Sequence, residues 1–423
     1  MKYTKKDLGS YNLHLIKTDK FKTVTIKIIF QSPIIKEEIT KRNILSDILL
    51  QSSKKYPSKR DLIIAAEDLY SASIYNSTER LGKFIMTSFT LQVLNDKYTE
   101  ENNLNKGIEF LKEIIFNPDI ENSEFKENKL SFVKKNCEVT ISSVKEDPVS
   151  YAIMRMSESY DKESPISYRM VGYMDDVEKV DTKNLYEYYK KMLEKDYVDI
   201  FVVGDIDENE IVTKIKECFK FRKLRRNKPS YELEIKKPRK KRLIAKEKQA
   251  ASQSKLIIAC PLKKMKTYEK NYPLVLANII FGGTSDSKLF KVVREKNSLC
   301  YAIYSQLSKL DNLVTIKAGI DKDNFKKTLT VIDDVLIKVK KGDFTEKDIK
   351  MAKEIYSSAI SNIEENPSSL ISEYLTEEIT GLDSYKKRVE IMNKVTKKDI
   401  KKVLKKINTD TIFLLEGDIS WKK

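Results

Sequence analysis

Val24-Thr-Ile-Lys-Ile-Ile-Phe30, stopped by Pro33, reads as a strand running into a turn, and the chain repeats it. Ser254-Lys-Leu-Ile-Ile-Ala-Cys260, stopped by Pro261, follows about 230 residues later. Working outward, Ile44-Leu-Ser-Asp-Ile-Leu-Leu-Gln-Ser-Ser53 is echoed by Leu274-Val-Leu-Ala-Asn-Ile-Ile-Phe-Gly-Gly283. Leu69-Tyr-Ser-Ala-Ser-Ile-Tyr75 is answered by Leu299-Cys-Tyr-Ala-Ile-Tyr-Ser305 at the same spacing. Asp199-Ile-Phe-Val-Val-Gly-Asp-Ile-Asp207 matches Thr411-Ile-Phe-Leu-Leu-Glu-Gly-Asp-Ile-Ser420, where the offset has shrunk by about 16 residues. One short apolar match is chance; four in the same order are a duplication.

Each copy runs strand, helix, strand, strand, several helices and a final strand. Phe84–Leu94 is rich in β-formers. Asn103–Phe116, Ser123–Ser143, Thr182–Lys195 and Glu208–Phe219 carry helical spacing. This pattern predicts an α+β fold of two homologous sandwich domains, each a mainly antiparallel sheet with helices on one face. The expected domains are residues 1–221 and 243–423. Between them, residues 222–242 hold 11 Lys/Arg against two Glu, with Pro229 and Pro238, a linker by composition and alternatively a basic arm.

At 423 residues the chain is long for one core. A net charge of +17 invites nucleic acid, but Lys outnumbers Arg 68 to 12 and no nucleic-acid motif occurs, so a solvated basic surface is the expectation. No stretch approaches a membrane span, and Met1–Lys22 has no apolar signal core. The four cysteines are scattered, which fits a reducing, cytoplasmic setting. A single His, His14, excludes chemistry built on paired histidines; in its alternating strand it reads as structural or surface.

A longer stretch narrows the class. Phe281-Gly-Gly-Thr-Ser-Asp-Ser-Lys-Leu-Phe-Lys-Val-Val-Arg-Glu-Lys-Asn-Ser-Leu-Cys-Tyr-Ala-Ile-Tyr-Ser305 joins a Gly pair, a Ser-rich turn, Leu-Phe and R-E-x-x-x-L-x-Y at fixed spacing. With the duplication, it resembles the insulinase/pitrilysin zinc-peptidase family along nearly the whole chain. Active members carry H-x-x-E-H on the first helix of the first half. Two His at i and i+4 hold Zn²⁺, and the Glu is the base for a metal-bound water whose pKa falls to about 7.

Here that helix, read as Thr40–Ser53, places Asn43 and Asp47 at the His positions and Ser46 at the base. The family's later ligand helix resembles Glu127-Asn-Lys-Leu-Ser-Phe-Val-Lys134, which puts Lys134 where a second Glu belongs. Asn43, Asp47 and Glu127 could offer oxygens to Mg²⁺ or Ca²⁺, but three are too few.

The resemblance therefore implies a chain without its own metal or cofactor, predicted inactive alone. It also implies that Arg294 and Tyr301 of R-E-x-x-x-L-x-Y retain the family's role at the substrate carbonyl and oxyanion. The expected partner is a zinc-bearing paralogue in a heterodimer, or a second copy in a homodimer, acting on a peptide or protein substrate. Relatives of similar size with eroded motifs are associated with elongation factor P modification or peptide maturation. The alternative is accordingly a non-proteolytic scaffold or client-binding protein.

Overall fold

Residues 1–99, 102–222 and 230–418 are described by a computed structural model, and two sheets carry their fold. The first contains β1 (Lys2–Asp7), β2 (Asn12–Lys17), β3 (Thr23–Pro33), β4 (Ser73–Leu81), β5 (Phe84–Leu94) and β6 (Tyr197–Gly204), in the order β1-β2-β6-β3-β5-β4. The second contains β7 (Leu243–Gln249), β8 (Ser254–Pro261), β9 (Cys300–Ser308), β10 (Leu313–Ile320) and β11 (Thr411–Gly417), in the order β9-β10-β8-β11-β7. Read from β4 and from β9, the orders coincide strand for strand. So do the directions: β2 is parallel to β6 and β7 to β11, and the other neighbours are antiparallel. The duplication is thus a property of the fold, and β1 is the first copy's addition.

Pleating sends alternate residues of β3 to opposite faces. Ile26, Ile28 and Phe30 meet Ile44, Leu45 and Ile48 of α1 (Ile39–Ile48). Ile108, Leu111 and Ile115 of α2 (Asn103–Phe116), and Leu130 and Val133 of α3 (Glu127–Ser143), complete that layer. Each such side chain contributes about 1.5–3 kcal/mol by leaving water. In the second copy, Leu256, Ile258 and Cys260 of β8 pack likewise against helix Phe325–Lys341. The helix read from sequence as Thr40–Ser53 ends at Ile48, because Ser53 turns off to bond Tyr56 and bridge Pro118.

The second sheet is covered on its other face too. Tyr151, Ala152, Met156 and Tyr160 of α4 (Pro148–Tyr160) pack on Ile257 and Ala259 of β8 and on Phe413 and Leu415 of β11. This helix is encoded in the first half of the chain. The compact units accordingly interleave: one comprises Met1–Ser142, Arg169–Ser230 and Glu364–Ser372, the other Ser143–Tyr168, Tyr231–Ile363 and Glu373–Lys423.

Of the linker expected over 222–242, residues 223–229 lie outside the described residues. The described remainder is a fastened strap. Tyr231 and Leu233 are buried, and the Leu233 N–H donates to the Leu310 carbonyl at 2.8 Å. Lys236 donates to the Tyr160 carbonyl at 2.6 Å, and Arg239 pairs with Asp410 while donating to the Thr411 hydroxyl at 2.6 Å.

Candidate functional site

The face of α1 that resembles the zinc motif is held from below by its neighbour, Arg42. This guanidinium is 1% exposed and donates to the Thr87 hydroxyl at 2.7 Å, the Ser32 hydroxyl at 3.1 Å, the Phe30 carbonyl at 3.1 Å and the Asp196 carboxylate at 2.5 Å. A buried charge this fully bonded fixes the helix against β3 and β5. Asn43, Ser46 and Asp47 consequently line a polar recess of about 230 Å³, together with Asn76 of β4, Cys137 of α3 and the Met170–Val171 segment.

Inside it, the Asn43 amide donates to the Met170 carbonyl at 2.8 Å, and the Ser46 hydroxyl to the Asn43 carbonyl at 2.9 Å. The Asn76 amide donates to Asp47 Oδ1 at 2.7 Å. Burial raises the Asp47 pKa, an effect that the Asn76 bond and the Lys59 charge only partly offset. Burial, with Asp47 and Glu138 adding to it, pushes the Cys137 thiol up to about 11, which keeps it protonated and inert.

Lys134 does not line this recess. Its ammonium reaches the Val180 carbonyl at 2.9 Å, while Cys137, one turn further along α3, takes the place facing Asp47. Glu127 lies elsewhere, accepting from Ser131 at 2.9 Å. The donor set around α1 is thus one carboxylate, one protonated thiol and two amides. No cluster of three or more His, Cys, Asp or Glu suited to a metal occurs among the described residues. Tetrahedral zinc sites take imidazole, thiolate or carboxylate ligands, and this set does not fit them. Asn76 and Cys137 escaped sequence reading. Cys137 does lie on the buried Leu130, Val133, Cys137 stripe, the one signal that could have found it.

Arg294 and Tyr301 stand in the other unit. Arg294 lies in a wide helical turn, Phe290–Lys296, where Leu299 N–H reaches back to the Val293 carbonyl at 3.1 Å and Ser298 takes φ +50°. Its guanidinium is exposed and stacks over the Phe290 ring at 4.6 Å. Tyr301 sits at a register break in the β9–β10 ladder, between Cys300 and Ala302, and is 69% exposed. Bulges of this kind re-aim a side chain. A small groove beside it is lined by Tyr304, Lys255 and Lys317. Gly282 makes this arrangement possible: a Cβ there would come within 2.6 Å of the Ser305 hydroxyl and 2.7 Å of Leu289.

His14 is fully buried and bonded. It accepts or donates at 2.8 Å to the Tyr3 hydroxyl and at 3.1 Å to Asp199, and stacks on Phe201 at 4.1 Å. Asp199 was invisible as its neighbour because the two meet only across the parallel β2–β6 pair.

The family description "Peptidase M16 inactive domain" matches residues 179–356. A "Probable inactive metalloprotease YmfF" of Bacillus subtilis is 30% identical over 418 residues, covering 97% of this chain and 96% of the relative. The crystal structure of a conserved protein from Enterococcus faecalis superposes with a TM-score of 0.88 at 30% identity, over 99% of this chain and all of that one. A peptidase M16 inactive domain from Pseudomonas fluorescens shares the fold at TM-score 0.80 and 15% identity, over the full length of both chains. The chain therefore belongs to the M16 (insulinase/pitrilysin) peptidase family and stands among its inactive members. No helix of the described residues is long and apolar enough to cross a membrane.

Proposed function

We propose that the protein is the non-catalytic subunit of a two-subunit peptidase or peptide-processing assembly, lending Arg294 and Tyr301 to a zinc-bearing paralogue. One observation supports this most: both side chains face solvent, while the backbone presenting them is fixed by buried Val293, Leu299 and Cys300. Among the described residues neither the guanidinium nor the phenol donates a hydrogen bond, which suits them to a carbonyl that becomes an oxyanion. Lys255 and Lys317 add positive charge beside Tyr301.

The assembly, co-purified with a zinc-motif paralogue from the same genome, tests the reading. Losing two transition-state donors in an Arg294→Ala, Tyr301→Phe variant should lower kcat/KM by about a hundredfold or more. Unchanged activity would reject it. A second reading, a scaffold that holds a client without cutting it, is favoured by the recess on α1, which keeps a shaped polar interior without zinc donors. A client recovered intact from the purified complex, with no hydrolysis on adding the paralogue, would decide for that reading.

A further inference from the structure

The recess on α1 keeps a charged acceptor open, Asp47 Oδ2. Each polar side chain gives one N–H or O–H to the protein: the Asn43 amide to Met170, the Asn76 amide to Asp47, the Ser46 hydroxyl to Asn43 and the Thr140 hydroxyl to Asn136. Beyond the second N–H of each asparagine, what remains open is acceptors, one of them charged. Among the described residues, no hydrogen bond reaches Asp47 Oδ2, Asn43 Oδ1 or Asn76 Oδ1. The cation nearest in effect, Lys59, spends its ammonium on the Leu50 carbonyl at 2.8 Å. A half-buried carboxylate with one oxygen to spare, in a recess also lined by Asn43 and Asn76, asks for a compact, donor-rich cation.

We infer that this recess receives a primary ammonium group, with Asp47 as counter-charge and the oxygens of Asn43 and Asn76 as its other acceptors. An ammonium offers three donors and no acceptor, which matches the three open oxygens. A hard divalent cation wants six or more oxygens with several carboxylates, and zinc wants a tetrahedral set of imidazole, thiolate or carboxylate ligands. Neither set is here. The reading goes beyond the subunit role and does not depend on it. An ammonium can come from a lysine side chain or from a chain's N-terminus.

Titration calorimetry on the full chain tests it, with n-butylammonium as probe and n-pentanol as the uncharged control of similar length. Saturable binding of the amine in the millimolar range is expected, with none for the alcohol. Asp47→Asn should weaken it at least tenfold, and Asn43→Asp, which adds a second charge on the same face, should tighten it at least threefold. The opposite directions separate loss of a site from loss of fold. Nα-acetyl-lysine-N-methylamide and glycine-N-methylamide form the two source arms, and the stronger binder identifies a side-chain or a chain-terminal amine. No saturation by n-butylammonium, equal binding by Asp47→Asn, or stoichiometric displacement of the amine by Mg²⁺, Ca²⁺ or Zn²⁺ would each overturn the inference.

Discussion

The two copies of the fold part company at the helix after their second shared strand. In the first copy Asn43, Ser46 and Asp47 face a recess. The matching positions of the second copy, Pro273, Leu276 and Ala277, are buried and apolar. Each copy ties this helix to the sheet's edge strand by one polar link. Asp47 accepts from Asn76 and keeps an oxygen to spare. In the second copy, one place further along, Asn278 donates to the Ser305 carbonyl at 3.3 Å and accepts from the Ser305 hydroxyl at 2.8 Å, so both partners are satisfied. The second copy instead departs from regularity in two wide helical turns, Ile279–Gly283 and Phe290–Lys296, a device common at functional sites. One copy shapes a hollow and the other shapes a display. After duplication, the same scaffold supports either one.

The largest way to break this comparison is to unseat the hollow. Arg42→Met strands Asp196 and should cost about 3–5 kcal/mol in urea unfolding, since removing one member of a buried pair leaves the other uncompensated. Retention of wild-type stability would show that the helix is held by its apolar face alone. Next comes the display. Gly282→Ala drives a methyl into Ser305 and Leu289, and overpacking of that kind should cost about 1–3 kcal/mol by the same measurement.

A smaller effect distinguishes the two polar links. The folded-state pKa of Asp47 lies above its unfolded value because burial disfavours the carboxylate, so the associated stability is lost as pH rises through the folded value. Asp47→Asn should therefore raise the urea midpoint at pH 7 in the absence of amines, and the gain should fade as pH falls towards 4. A pH-independent change would mean that the carboxylate is not strained by burial. Smallest of all, Arg294→Ala with Tyr301→Phe should shift stability by less than about 0.5 kcal/mol, the range for exposed positions. A larger loss in the unpartnered chain would recast both residues as structural.

Much of this was legible in the chain. The repeated strands and the helices 103–116 and 182–195 follow from apolar periodicity and turn residues, which are local signals. The Gly-Gly to R-E-x-x-x-L-x-Y stretch located Arg294 and Tyr301. The polar triple on α1 was readable because a helix face is a matter of spacing. What was hidden is non-local. Nothing in Pro148–Tyr160 says which sheet its apolar stripe will choose, and nothing near His14 announces Asp199. The basic run after Phe221 concealed two buried anchors, Tyr231 and Leu233, because the sequence there is dominated by Lys and Arg.

The placement of α4 has a consequence in time. Its sheet partners Phe413 and Leu415 are synthesised about 250 residues after it, which at roughly 5–20 residues per second is on the order of ten to fifty seconds. Until then Tyr151, Met156 and Tyr160 lack the β11 part of the surface they cover, even once β8 has been made. A nascent chain in this state carries a helix with part of its apolar face uncovered. The same ordering makes the gene hard to cut in two: a message ending after the basic run delivers a helix without its sheet, and the remainder delivers a sheet with one bare face.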